Sequence, residues 1–191
     1  MVSIKMEKEN VVNDDLQLVE QFKRGAQSAF NELVIKYKSR IYYLVLRIIG
    51  DSDEAADIAQ STFIKVYRNL HSFRGRSSFK TWLYRIAINL SKNYLREKVR
   101  QERLPPLPEA EREIEGKLEE MIARERGQML REAISQLPER QRLALILRIY
   151  EELPYKEIAR IMGGSTGLAK VNYFYAINNL RKKWKKLNFG Q

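Results

Sequence analysis

Between Phe79 and Arg96 the chain is satisfied only as a helix with two unlike faces. Leu83, Ala87, Leu90 and Tyr94 recur at spacings of four, three and four, which sets them on one stripe of a helix. Arg85, Asn89, Lys92 and Arg96 keep the same spacing on the opposite stripe, with Trp82 beside them. One stripe needs a protein core; the other offers cations, an amide and a flat aromatic ring. A loop carrying Arg74 and Arg76 feeds straight into this helix. That combination suits a nucleic-acid strand, whose phosphates require neutralising and whose bases stack or accept hydrogen bonds.

The charge of the whole chain points the same way. Net charge is +11 and the basic residues are segregated rather than scattered. Residues 68–100 carry nine Lys or Arg against one acid, Glu97. Residues 165–191 carry six and no acid, while residues 101–136 hold nine Glu against six Lys or Arg. Two basic poles around an acidic middle favour a polyanionic partner, and the clustering favours nucleic acid over an anionic membrane.

Several chemistries are excluded by residue supply. Cysteine is absent, so disulfides, thiol catalysis and thiolate metal sites are ruled out. His71 is the one histidine, so neither a histidine-centred triad nor a histidine zinc site can be assembled, and no metal or other cofactor is expected. No apolar run reaches membrane-spanning length and the opening residues lack a signal-peptide core, which leads us to expect a cytoplasmic protein without direct membrane insertion.

The periodicity predicts an all-α chain of two small helical domains joined by a linker. Residues 1–13 are polar and aperiodic and are read as a mobile tail, and residues 14–98 as the first domain. Asp14 or Asp15 is expected to cap a first helix over Leu16–Lys23, and Ser28 a second beginning at Ala29, with Gly25 at the break. The second helix supplies core residues Leu33, Val34, Tyr37, Ile41, Tyr42, Leu44, Val45 and Ile48. Asp51 or Ser52 caps a third helix whose buried stripe is Ala59, Phe63, Val66 and Leu70, and whose other face carries Asp53, Asp57, Gln60 and Ile64. Leu104, Pro105, Pro106, Leu107 and Pro108 cannot continue a helix, so residues 99–127 are read as an acidic Pro/Glu-rich linker.

The second domain is expected over 128–187, with 188–191 as a tail. Met129, Leu130, Ala133, Ile134 and Leu137 form a short helix stopped by Pro138; Leu143, Ala144, Ile146, Leu147 and Tyr150 form the next. Tyr155–Met162, the turn Gly163-Gly164-Ser165-Thr166 and a helix from Gly167 to about Leu187 have the layout of a helix-turn-helix. In the last helix Ala169, Tyr173, Ala176, Leu180, Trp184 and Leu187 form the buried stripe. Lys170, Val171, Phe174, Tyr175 and Asn178 then face whatever that helix reads.

These segments resemble the extracytoplasmic-function (ECF) sigma factors of bacterial RNA polymerase. The matching blocks are Ala29–Leu33 through Tyr37, Asp53–Gln60 with Thr62–Tyr67, Phe79–Ala87 with Asn89, and Leu137–Glu139 with Leu153–Ala159, Gly167 and Lys170. They stand in order and span nearly all of 15–187, and the third is the most specific.

The resemblance implies that the first domain corresponds to sigma region 2 and the second to region 4. It implies that Asp53, Asp57, Gln60 and Ile64 dock on the clamp helices of the polymerase largest subunit. Phe73, Arg74, Arg76, Ser77, Trp82, Arg85, Asn89, Lys92, Asn93 and Arg96 would engage the promoter −10 element and help open it. Ser165, Thr166, Lys170, Val171, Phe174, Tyr175, Asn178 and Arg181 would meet the −35 element in the major groove. The implied partners are core polymerase, including the flap of its second-largest subunit, promoter DNA, and an anti-sigma factor, which when membrane-bound would hold the protein at the inner membrane face.

Two departures from the family pattern stand out. Ala56 replaces the Glu that the family carries before the Asp of the second block. Asn172, Tyr175 and Ile177 stand where Arg is common in the reading helix. The face of Lys170, Val171, Phe174 and Tyr175 therefore suits thymine methyls and a tyrosine hydrogen bond, not the bidentate Arg–guanine pair.

Two other function classes fit these residues less well. A stand-alone helix-turn-helix regulator of duplex DNA has no use for the strand-holding loop and helix at 73–96, and no dimerisation helix is apparent. A nuclease needs clustered carboxylates, whereas the acids here are spread over helix surfaces and the linker.

Overall fold

The computed structural model describes residues 14–101, 127 and 129–189, and every regular element among them is helical. The sequence-based expectations for the 1–13 tail, most of the linker and residues 190–191 lie outside this set. The chain divides into two compact units, with the break between Leu95 and Arg96.

The first unit holds α1 (14–23), α2 (Gln27–Ile49), α3 (Ser52–Asn69), a single 3-10 turn (Leu70–Ser72) and α4 (Phe79–Gln101). Leu33, Tyr37, Ile41, Leu44, Val45 and Ile48 recur on one side of α2 and are buried, forming the spine of the core. α3 packs on α2 through Ala55, Ile58, Ala59 and Val66. Thr62, not Phe63, completes that stripe; its hydroxyl is satisfied by donating to the Ile58 carbonyl at 2.8 Å, so its burial leaves no orphan. Phe63, Val34 and Tyr42, expected in the core, are only half-buried.

The caps explain where the helices start. Asp51 accepts from the backbone N–H groups of Asp53 and Glu54 at 3.0 and 3.1 Å, as expected of an N-cap. Ser28 caps nothing: α2 begins at Gln27 after an extended Ala26 with no side-chain cap. Gly50 ends α2 with φ of 82°, a left-handed conformation that costs a glycine little.

Asp15 is not a cap either. It lies inside α1, 2% exposed, where its carboxylate accepts from Lys36 Nζ at 2.7 Å and from the Tyr37 hydroxyl. Burial, with Asp15 alongside, pushes the Tyr37 hydroxyl well above the ordinary tyrosine range, so it stays a donor. This network pins α1 to α2.

The second unit holds α5 (129–135), α6 (Glu139–Ile149), α7 (Tyr155–Met162) and α8 (Thr166–Phe189). α6 is buried on consecutive residues, Leu143 to Leu147, because α7 and α8 both pack on it. Tyr150, expected in its core stripe, and Leu130 of α5 are exposed. Ile134, Leu137, Leu145 and Ala176 close the core, with Tyr173, Ile177 and Leu180 packed against it. Asn179 donates to Gln141 at 2.8 Å and Lys183 to Gln136 at 2.6 Å, which fixes the rotation of α8 about its axis.

Replacing Asp15 by Ala strands the buried Tyr37 hydroxyl and frees α1. Urea denaturation should show a loss of about 1–3 kcal/mol. A loss under about 0.5 kcal/mol, the scatter of ordinary surface changes, would mean the network does not hold α1.

Candidate nucleic-acid interface

The loop before α4 is shaped by its own sequence. Gly75 has φ of 66°, where a side chain is strained, so it turns the chain between Arg74 and Arg76 and leaves both exposed. Ser78 then caps α4: its hydroxyl accepts from the Thr81 N–H at 3.2 Å and pairs with the Thr81 hydroxyl at 2.7 Å, while its carbonyl takes the Trp82 N–H. Ser77, half-buried, turns its hydroxyl toward the Ser78 carbonyl at 3.3 Å.

α4 buries Leu83, Tyr84, Ala87, Ile88 and Ser91. The inner stripe is thus shifted from the expected one: Leu83 and Ala87 belong to it, but Leu90 and Tyr94 are only half-buried. The reason lies at the start of the helix, where Phe79 is buried against Tyr37 of α2 at 5.7 Å between ring centroids and sets the rotation of the turns that follow. Ser91 tolerates burial because it donates to the Ala87 carbonyl at 2.9 Å. On the outer side Arg85, Asn89, Asn93 and Arg96 are exposed, with Lys92 half-buried among them.

Phe73 departs from the sequence-based reading as a strand contact. It is 5% exposed, its ring 5.2 Å from Trp82 and 6.2 Å from Phe79. Its side chain is a floor for Trp82, not a surface for a ligand. Trp82 itself is half-buried, within one turn of Arg85 on α4.

A second surface lies between α2 and α3. Gln60 and Ile64 line a groove of about 800 Å³ with Phe30, Val34, Tyr42 and Phe63. Asp53 and Asp57 are exposed further along the same side of α3. The groove was missed in the sequence because its aromatic residues fall at core spacing. Ala56 lines it too, so the small side chain at this position keeps the groove open.

In the second unit the turn after α7 is closed by Gly163, with φ of 68°. Ser165, expected to face a ligand, spends its hydroxyl capping α8 by accepting from the Leu168 N–H at 3.1 Å. Thr166, Lys170, Val171, Phe174, Tyr175 and Arg181 face outward, Phe174 being 60% exposed; Asn178 is half-buried. The Phe174 and Tyr175 rings meet at 5.9 Å, and Lys170 lies 5.9 Å from the Tyr155 ring of α7. Trp184, placed in the buried stripe by spacing, is 45% exposed because the core beneath α8 reaches only to Leu180. The Leu187 side chain lies outside the described set.

A basic helix face with a half-buried tryptophan packed on Phe73, and a helix-turn-helix whose second helix exposes an aromatic face, stand on one chain. Comparison with known proteins gives a relative 41% identical over 186 residues, 91% of this chain and 95% of its own length: the RNA polymerase sigma-H factor of Pseudomonas aeruginosa. The chain belongs to the ECF sigma factors.

The ECF RNA polymerase sigma-E factor of Escherichia coli is equally similar, 41% identical over the same shares. The Sigma-70 region 2 family matches residues 33–101 and the Sigma-70 region 4 family residues 127–179. Two solved structures share the fold. CnrH in complex with the cytosolic domain of CnrY has a TM-score of 0.70 at 20% identity, over 90% of this chain and 97% of that one. RpoE of Bartonella quintana in complex with the anti-sigma factor NepR has a TM-score of 0.66 at 24% identity, over 82% and 96%. This protein is thus an alternative sigma factor. None of its described helices is long and apolar enough to cross a membrane.

Phosphate contacts by the outer face of α4 would carry a salt signature. Replacing Arg85 or Arg96 by Gln should reduce the log–log salt slope of binding to a single-stranded promoter oligonucleotide by about 0.7 per residue. An unchanged slope in both variants would remove this face from the interface.

Proposed function

We propose that the first unit carries core polymerase binding and −10 recognition, and the second −35 recognition. The observation that carries this reading is the outer face of α4, where Arg85, Asn89 and Arg96 stand exposed on the helix that the exposed Arg74–Arg76 loop leads into. Opening a promoter unstacks bases at a cost of a few kcal/mol per base, least at easily unstacked steps. Exposed guanidinium groups along the separated strand and an aromatic edge for a base offset that cost.

Core polymerase would dock on α3 through Asp53, Asp57, Gln60 and Ile64, with the adjoining groove of Phe30, Val34, Tyr42 and Phe63 taking apolar side chains of the clamp helices. The protein acts by binding, without catalysing a reaction of its own, in the cytoplasm. An anti-sigma factor that covers both basic faces is the regulator this reading includes.

The α8 face sets the −35 preference. Val171, Phe174 and Tyr175 are exposed together, so thymine methyls and groove shape carry more of the recognition than guanine hydrogen bonds do.

Transcription of fragmented genomic DNA by bacterial core polymerase, with 5′ ends sequenced, tests the assignment. Addition of the protein should create discrete starts that share two upstream elements; no new starts, despite duplex binding by a folded protein, would leave a stand-alone regulator. In the same assay Tyr175→Ala should change the preferred −35 bases, and identical selected sequences would sink the thymine reading. Ile64→Asp should weaken binding to core polymerase by about tenfold or more, as removal of a central apolar anchor does; wild-type affinity would take α3 out of that interface.

A further inference from the structure

The region 2 match begins at residue 33, so α1 lies wholly outside it. Yet α1 reaches across the fold to the loop assigned to the −10 strand. Lys23, in its last turn and half-buried, donates from Nζ to the backbone carbonyl of Phe73 at 2.9 Å, fifty residues away. The next side chain, Phe22, is buried with its ring 5.1 Å from His71 in the 3-10 turn and 5.4 Å from Tyr67 of α3. At the other end of α1, the Asp15 network anchors the helix to α2.

Phe73 is the residue at which the 3-10 turn gives way to the loop. Its N–H is taken by the Leu70 carbonyl at 3.1 Å and its ring lies under Trp82. With the carbonyl also held, the residue is fixed by its N–H, its ring and its oxygen together. Arg74, next in sequence, takes its direction from that peptide group, because the carbonyl of Phe73 and the N–H of Arg74 share one plane.

We propose that α1 is a strap for the −10 loop and that Lys23, through the Phe73 carbonyl, is a positioning residue for strand capture. The proposal rests on the assignment of the 73–78 loop to the −10 strand. Lys23 is suited to the task because a cation donating to a carbonyl makes a stronger bond than a neutral donor. Its partner Glu20, at 2.9 Å, keeps the ammonium group oriented from the exposed side. The strap sets where Arg74 and Arg76 stand before DNA arrives, which lowers the ordering cost of binding.

The test uses the full-length protein assembled with core polymerase. The probes are a single-stranded oligonucleotide of the non-template −10 sequence and a duplex carrying the −35 element, both taken from starts that the protein itself generates. Lys23→Met should weaken strand binding by about tenfold and leave duplex binding unchanged, with the urea midpoint lowered but the protein fully folded without urea. Lys23→Arg, which keeps a cationic donor, should restore most of the loss.

A cycle with the Arg74→Ala, Arg76→Ala double variant separates positioning from simple charge. If Lys23 acts through the loop, Lys23→Met costs little once both arginines are gone. Equal losses in the two backgrounds, a wild-type response in Lys23→Met, or parallel losses on both probes would each overturn the proposal. A wild-type holoenzyme that binds the duplex but ignores the strand would instead overturn the −10 assignment on which it stands.

Discussion

The rotation of α4 about its own axis is the constraint on which the rest of the first unit depends. Leu83, Tyr84, Ala87 and Ile88 are buried on one side, and a large apolar side chain gains about 1.5–3 kcal/mol from full burial. Turning the helix by one residue would bring Arg85 or Asn89 into the core and lift apolar side chains into water, an exchange that a small domain cannot absorb. Core packing therefore decides the side of α4 on which Arg85 and Arg96 stand. Phe79 against Tyr37 and the tilted Phe73–Trp82 ring contact lock the same rotation from the loop end. In the proposed strand capture, the groups that would meet DNA are oriented by core groups that never do.

The second unit solves a parallel problem with small residues. Ala169 and Ala176 are buried on α8 and Ala159 on α7, which lets the helices approach closely. Asn179 and Lys183 hold α8 from its flank. An apolar and aromatic ridge of Val171, Phe174 and Tyr175 is left in solvent on an otherwise basic helix. Exposed aromatic clusters on a small domain mark contact surfaces more often than accidents of packing. Here the ridge is on the solvent side of α8, opposite the buried Ala169 and Ala176, where a groove of DNA would meet it.

Helix existence, the division into two units and the basic faces were legible in the sequence because apolar spacing and charge segregation are local signals. What spacing could not do was choose between neighbouring stripes. On α4 both Leu90 and Ile88 are apolar, and only the contact of Phe79 with α2 decides which one goes inside. Phe63, Val34 and Tyr42 were read as core because an apolar residue at helical spacing shows that a face wants cover, not what covers it; they line a groove instead. Asp15 looked like a cap, and its true partners, Lys36 and Tyr37, lie a whole helix away. Trp184 failed for a similar reason: periodicity continues along α8 after the core beneath it has ended.

The central claim is that the outer face of α4 holds a separated strand. Permanganate oxidation of thymines around the −10 element, in complexes of this protein with core polymerase on a promoter it serves, reads that state directly. The account predicts reactive non-template thymines that require both proteins and disappear when Arg85 and Arg96 are both replaced by Ala. Thymines that stay unreactive in a polymerase complex firmly bound to that promoter, or that react just as strongly without the two arginines, would contradict it.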